Sequence, residues 1–282
     1  MIRSRSLRAL SIEAFSIRAA MLRADRIGLF GLFVLLVNMA SWGTSCIADE
    51  VPGVQEQFQA AQAKFESAQS PADFLETAKM FEGILGKGIE SGVVRFNLGN
   101  AYFRANEFGR SILNYRKAKL LMPTNPYVQA NLEQAISLSP GRLPGGSGTG
   151  WKNFLFWSDW LTPSAKTWVG SVGMSSVAVI GLLSVWFRMA WLRFGGIAIF
   201  LLSGLILWDA WSVQQEIEHS RLGVIVAETV ARKGTGDDYA PAFDQPLRDG
   251  AEFTVLSETS NWTFGRFEGV GDGWIRNEFV AR

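Results

Sequence analysis

Trp168 to Phe187 reads WVGSVGMSSVAVIGLLSVWF, and Phe194 to Ser212 reads FGGIAIFLLSGLILWDAWS. The first run carries no charge, and the second carries only Asp209. A 20-residue helix is about 30 Å long, the thickness of a bilayer's hydrocarbon core. Residues 188–193 join the runs and hold Arg188 and Arg193 without an acidic residue. The pattern predicts a transmembrane helical hairpin over 168–212 with a cytoplasmic turn, because basic loops stay inside. Both flanks, 49–167 and 213–282, are then expected on the outer side.

The averages of the 282-residue chain conceal this segregation: its net charge is +1 and 48% of it is hydrophobic. Eight of its eleven tryptophans fall between Trp151 and Trp211, mostly near the ends of the two runs. Trp favours the membrane interface, where an apolar ring and a polar N–H are both accommodated. Near-neutral charge offers no basic face for nucleic acid. The single cysteine, Cys46, allows no intrachain disulfide and no cysteine-based metal cluster.

Six arginines (Arg3, Arg5, Arg8, Arg18, Arg23 and Arg26) precede the apolar stretch IGLFGLFVLLVNMASW. The small residues that follow, with Cys46 and Ala48 at −3 and −1, fit a cleaved secretory signal over 1–48. An uncut signal anchor and lipidation of Cys46 are alternatives, the latter weakened by Gly43 where such signals carry a large aliphatic residue. Each sends residue 49 onward across the membrane.

Residues 49–138 read as a helical domain. Phe58, Ala61 and Phe65 form one apolar stripe. Ser70 caps and Pro71 opens a second helix, with Phe74, Ala78, Phe81, Ile84 and Leu85, stopped by Gly86 and Gly88. Further stripes run through Val94, Leu98, Ala101 and Tyr102, then Ile112, Tyr115, Ala118 and Leu121, then Val128, Leu132 and Ala135. Residues 92–125 resemble a tetratricopeptide repeat, a 34-residue helix–turn–helix unit. The match lies at Leu98, Gly99, Tyr102, Tyr115, Ala118 and Pro123, with Ser111 where the family usually has Ala. Thr77, Phe81 and Ile84 fit the second helix of a preceding repeat. Its first helix does not align at the same spacing, since Lys64 and Phe65 replace Leu-Gly, which implies an altered turn. Stacked helix pairs form a concave surface suited to a partner's helix or extended peptide. On that surface Asn97, Asn100, Phe103, Arg104 and Asn131 are the candidate binding residues, able to meet a peptide's carbonyls or terminal carboxylate.

Residues 139–167 are expected to be a Gly-rich flexible linker (139–150) and an aromatic interfacial segment, WKNFLFWSDWLTP. Residues 213–282 change to short strands separated by Gly, Asp and Asn turns. Their order resembles a bacterial SH3-like domain at Leu247-x-x-Gly250, Phe253-x-Val255-Leu256, Trp262 and Gly273-Trp274-Ile275. In such a small barrel Trp262 and Trp274 are expected in the core, or else with Tyr239 in a ligand groove.

The whole order (signal, tetratricopeptide repeats, linker, hairpin, SH3-like domain) resembles BatE-type proteins of bacterial aerotolerance operons. The resemblance implies a multidomain inner-membrane protein with both soluble parts on the periplasmic side. It also implies partners among membrane proteins with von Willebrand A domains. The expected role is a non-enzymatic interaction scaffold with no cofactor and no metal; the alternative is a peptidoglycan-binding module acting through the SH3-like domain. The one histidine, His219, lies near no nucleophile motif. Asp209, three residues from the end of its run, is expected to reach the interface.

Overall fold

A computed structural model describes residues 53–143, 160–218 and 221–282. The expected signal or anchor segment (1–48), residues 144–159 and His219 lie outside the described residues. The described chain has seven α-helices, one small antiparallel sheet and two helices apolar enough to cross a membrane. It divides into two compact units, one holding 167–208 and the other holding 50–166 with 209–282.

Five helices form an array: α1 (Val54–Ser67), α2 (Pro71–Leu85), α3 (Gly92–Arg104), α4 (Phe108–Leu121) and α5 (Pro126–Leu138). Each packs on the next. Their starts follow from local chemistry. Ser70 and Asp73 form a reciprocal capping box at α2, with Pro71 at the first helical position. Ser91 caps α3, and Asn125 caps α5 ahead of Pro126. Helix α4 is the exception, because Glu107 at its cap position gives no side-chain bond.

One core joins Ala61, Phe81, Ile84, Val94, Leu98 and Tyr102; a second joins Ile112, Tyr115, Leu132 and Ala135. Gly99 is required for this crossing: a Cβ there would lie 2.6 Å from the ring of fully buried Tyr115. The Ser111 hydroxyl, buried where the repeat family has Ala, donates to the Gly99 carbonyl at 2.9 Å. Thr77, Phe81 and Ile84 are fully buried in α2. Helix α1 is regular, and fully buried Ala61 is its eighth residue, just as Gly99 is the eighth of α3.

The two apolar helices are α6 (Pro163–Trp186) and α7 (Ala190–Glu218), both longer than the uncharged runs. They meet through small residues: a Cβ on Gly170 would reach 2.5 Å from Leu207, and one on Gly173 2.0 Å from the Ser203 hydroxyl. Their outward faces are apolar, and Trp186 and Trp191 are exposed at the turn. Such surfaces are compatible with a membrane location. Asp209 departs from expectation. It sits inside α7, is 1% exposed, and pairs with the equally buried Lys166 of α6 at 2.9 Å. A charge sequestered this way does not reach an interface, and its partner is what makes burial tolerable.

The sheet is antiparallel in the order β4-β3-β2-β1-β5. Its strands are β1 (Leu222–Ile225), β2 (Glu252–Glu258), β3 (Trp262–Phe267), β4 (Gly271–Arg276) and β5 (Val280–Ala281). Ile225, Ala231, Leu247, Phe253, Phe267 and Ile275 fill its core. Alternation places Thr263, Gly265, Phe267 and Ile275 inward and Trp262, Phe264 and Trp274 on the opposite face.

The helical array and the sheet belong to the same unit and are joined at α4. The Asp249 carboxylate accepts hydrogen bonds from the backbone N–H groups of Phe108 (3.0 Å) and Gly109 (2.9 Å). It thus supplies, from more than a hundred residues away, the cap that Glu107 does not. Gly250, at φ +91°, makes the turn after Asp249 possible. A Cβ on Gly109 would strike the Ile225 carbonyl at 2.2 Å, so the helix start lies against the strand backbone. Arg116 and Glu252 add a bidentate pair at 2.8 and 3.0 Å. The start of the expected flexible linker is fixed here too: the Ser139 hydroxyl and the Gly141 N–H both donate to the Asp249 carbonyl.

Candidate functional site

Helix α3 turns Val93, Asn97, Asn100 and Arg104 outward, one beside the next along a single face. The Asn100 carbonyl oxygen accepts from the Tyr115 hydroxyl (2.7 Å) and from the Asn131 amide (2.9 Å). Burial pushes the Tyr115 phenol up to about 12, so it remains a protonated hydroxyl able to make this bond. Asn97 donates to the Val93 carbonyl at 3.0 Å. Asn97, Asn100 and Asn131 remain partly exposed, and the structure brings them together on α3 and α5.

The other two candidates differ. Phe103 turns inward, edge-on to Phe108 at 5.9 Å and against the second core. It is a packing residue, since the crossing of α3 and α4 needs apolar volume there. Arg104 is exposed, but its guanidinium lies over the Phe74 ring at 4.9 Å. The signature residues Leu98, Gly99, Tyr102, Tyr115 and Ala118 are buried structural groups. Pro123 is half-buried and follows the end of α4 at Leu121.

On the sheet, the expectation that Trp262 and Trp274 are core residues is overturned. Both are half-exposed on the outer face, because the core side of β3 and β4 is taken by Thr263, Gly265, Phe267 and Ile275. Three cross-strand pairs form a ladder there: Trp262 with Arg276, Phe264 with Trp274, and Arg266 with Asp272. The Arg276 guanidinium lies 5.4 Å from the Trp262 centroid, the Phe264 and Trp274 rings are 5.0 Å apart, and Arg266 pairs with Asp272 at 2.9 Å. Backbone bonds to Arg232 hold Trp274 on its other side. Tyr239 is exposed and lies over Gly234, in the loop that follows Arg232.

Among the described residues no group of His, Cys, Asp or Glu could hold a metal ion. The ionisable groups with shifted behaviour serve structure. Burial raises Asp249 despite its two N–H donors. The Ser70 hydroxyl and nearby backbone N–H groups lower Asp73. Burial lowers Lys117, with Arg95 adding repulsion. The residue that sequence reasoning missed is Asp249, whose role shows only when the turn at 248–251 meets α4. No family model, no curated protein and no solved structure matches this chain.

Proposed function

We propose that the chain is a membrane-anchored, non-enzymatic interaction scaffold of the bacterial envelope. In this reading α6 and α7 are a transmembrane hairpin in the inner membrane, and the helical array and sheet lie on its periplasmic side. The array is a tetratricopeptide-type domain that takes a partner protein on the face of α1, α3 and α5. The resemblance to BatE-type proteins suggests membrane proteins with von Willebrand A domains as those partners. The observation that supports the reading best is the partly exposed Asn97–Asn100–Asn131 cluster, in which Asn100 accepts from buried Tyr115 and from Asn131. Orienting a polar cluster at the surface adds little to folding, whereas it prepares a site for another chain.

A photo-crosslinking residue placed at Asn97 should capture a membrane-protein partner in cells, and one at Lys79, exposed on α2, should not. Equal capture at both positions, or none at Asn97, would remove the reading. Topology has a separate test in a Cys46→Ser background. Single cysteines at Gln62 and Thr235 should both react with an impermeant thiol reagent in spheroplasts, and protection of either one contradicts a hairpin. The ladder of Trp262, Phe264 and Trp274 favours a second reading, cell-wall binding through the sheet. Retention of the detergent-solubilised protein on purified sacculi, lost in Trp274→Ala, is its expected result.

A further inference from the structure

The turn between the two apolar helices carries a cluster that anchoring alone does not use. Helix α6 ends at Trp186 and α7 begins at Ala190, so residues 187–189 make the whole turn. Arg188 lies in it at φ +53°, in the left-handed region that glycine or asparagine adopts at lower cost. The turn therefore holds an arginine against its backbone preference. Arg193 follows in the first turn of α7. Both arginines are exposed, and neither makes a hydrogen bond or ion pair among the described residues. Trp186, Phe187, Met189, Trp191 and Phe194, beside them in the chain, are exposed too. No acidic residue occurs between Trp160 and Asp209. The opposite end of the helix pair differs: Lys166, the cation there, is buried against Asp209 at 2.9 Å.

Resting on the reading of α6 and α7 as a transmembrane hairpin, we infer that this turn is a binding site for the headgroup of an anionic phospholipid in the cytoplasmic leaflet. A guanidinium offers paired N–H donors that match the two free oxygens of a phosphodiester, and each unpaired arginine supplies one such fork. Indole rings take the level between headgroups and acyl chains, which is where this reading puts Trp186 and Trp191. Phe194, Ile197 and Leu201 continue from Arg193 as an exposed stripe along one face of α7. That stripe is apolar contact for an acyl chain hanging from the same headgroup. A zwitterionic lipid also brings a phosphate, but its own ammonium balances the charge. An anionic headgroup leaves the negative charge that two unpaired cations attract. An acidic protein segment would meet the arginines and leave the apolar side chains around them in water.

The test uses the full-length protein in phosphatidylcholine nanodiscs doped with spin-labelled lipid, the motionally restricted fraction being read by electron spin resonance. Phosphatidylglycerol is expected to associate about tenfold more strongly than phosphatidylcholine. Arg188→Lys/Arg193→Lys keeps the charge that orients the hairpin and removes the planar forks, and should lose about threefold of that preference. Arg188→Gln/Arg193→Gln should abolish it. Lys79→Gln/Lys233→Gln takes the same charge from exposed positions in the array and beside the sheet, and should leave it unchanged. Excess inorganic phosphate should not displace the lipid; displacement would assign the site to a free anion and overturn the lipid inference. Absence of the preference, or its survival in Arg188→Gln/Arg193→Gln, in protein that stays in membranes through an alkaline carbonate wash, would overturn the inference and leave the hairpin standing. Release of the parent protein by that wash would overturn both.

Discussion

Helices α2 and α4 face the same physical problem at their N-termini and solve it from different places. Each begins with backbone N–H groups that no helical carbonyl can reach. In α2 the answer lies within four residues: the Asp73 amide donates to the Ser70 hydroxyl, and the Ser70 amide donates to the Asp73 carboxylate. In α4 the answer lies in the turn before β2, where Asp249 receives the N–H groups of Phe108 and Gly109. A local cap stabilises one helix. A remote cap makes one helix conditional on a second domain, so the array and the sheet share part of their stability.

The comparison can be broken most forcefully at Asp249. Asp249→Ala leaves two N–H groups without their acceptor, one of them beside the backbone of β1. It should cost about 2–3 kcal/mol. The detergent-solubilised protein should show the loss in helical circular dichroism and in the tryptophan fluorescence of the sheet at the same temperature. Two separated transitions would mean that the domains are not coupled. Ser70→Ala should cost about 1 kcal/mol, with hydrogen exchange rising at the start of α2 and unchanged in the sheet. Arg116→Ala removes a half-exposed pair and should cost about 0.5–1 kcal/mol, restored when Glu252 and Arg116 exchange places.

The smallest effect is a difference in sign with pH. Asp73 is held below its ordinary value, so its contribution is present above the unfolded value near 3.8 and is lost as pH falls through the lowered one. Asp249 is held above that value, so folding takes up a proton there. Its contribution is full below 3.8 and declines as pH rises through the raised value. The Asp73→Asn variant should therefore lose the parent's rise in stability with pH below 3.8, and Asp249→Asn the parent's fall in stability above it. Loss of a rise in Asp249→Asn as well would show that burial does not dominate at Asp249.

What could be read from the sequence was what is local. Ser70-Pro71 marked a helix start because a cap needs only neighbouring residues. Gly99 and Tyr115 declared a close crossing because a missing side chain and a large ring recur at fixed spacing. Two apolar runs, with Asp209 their one charge, declared two long apolar helices. What could not be read was set by distance or by competition for a face. Asp249 stood within the recognised Leu247-x-x-Gly250 turn, yet nothing nearby said that its carboxylate would serve α4. For Trp262 and Trp274 the pattern leaves core and groove both open; alternation along β3 and β4 gives the inward positions to Thr263, Gly265, Phe267 and Ile275. Lys166 fell before the uncharged run and so was never paired with Asp209. In the candidate groove, Asn97, Asn100 and Asn131 were legible as polar residues on helix faces.

The remote cap also bears on how the protein is made. During synthesis α4 is complete long before Asp249 exists, and both apolar helices lie between them. If those helices cross a membrane, Asp249 arrives beside α4 only when the second has threaded back and returned the chain to the side it left. A molecule that inserted just one of them would carry its sheet in the wrong compartment and its α4 uncapped. The contact at Phe108 and Gly109 is therefore among the last to form, and α4 keeps its first N–H groups unsatisfied until the turn before β2 is in place.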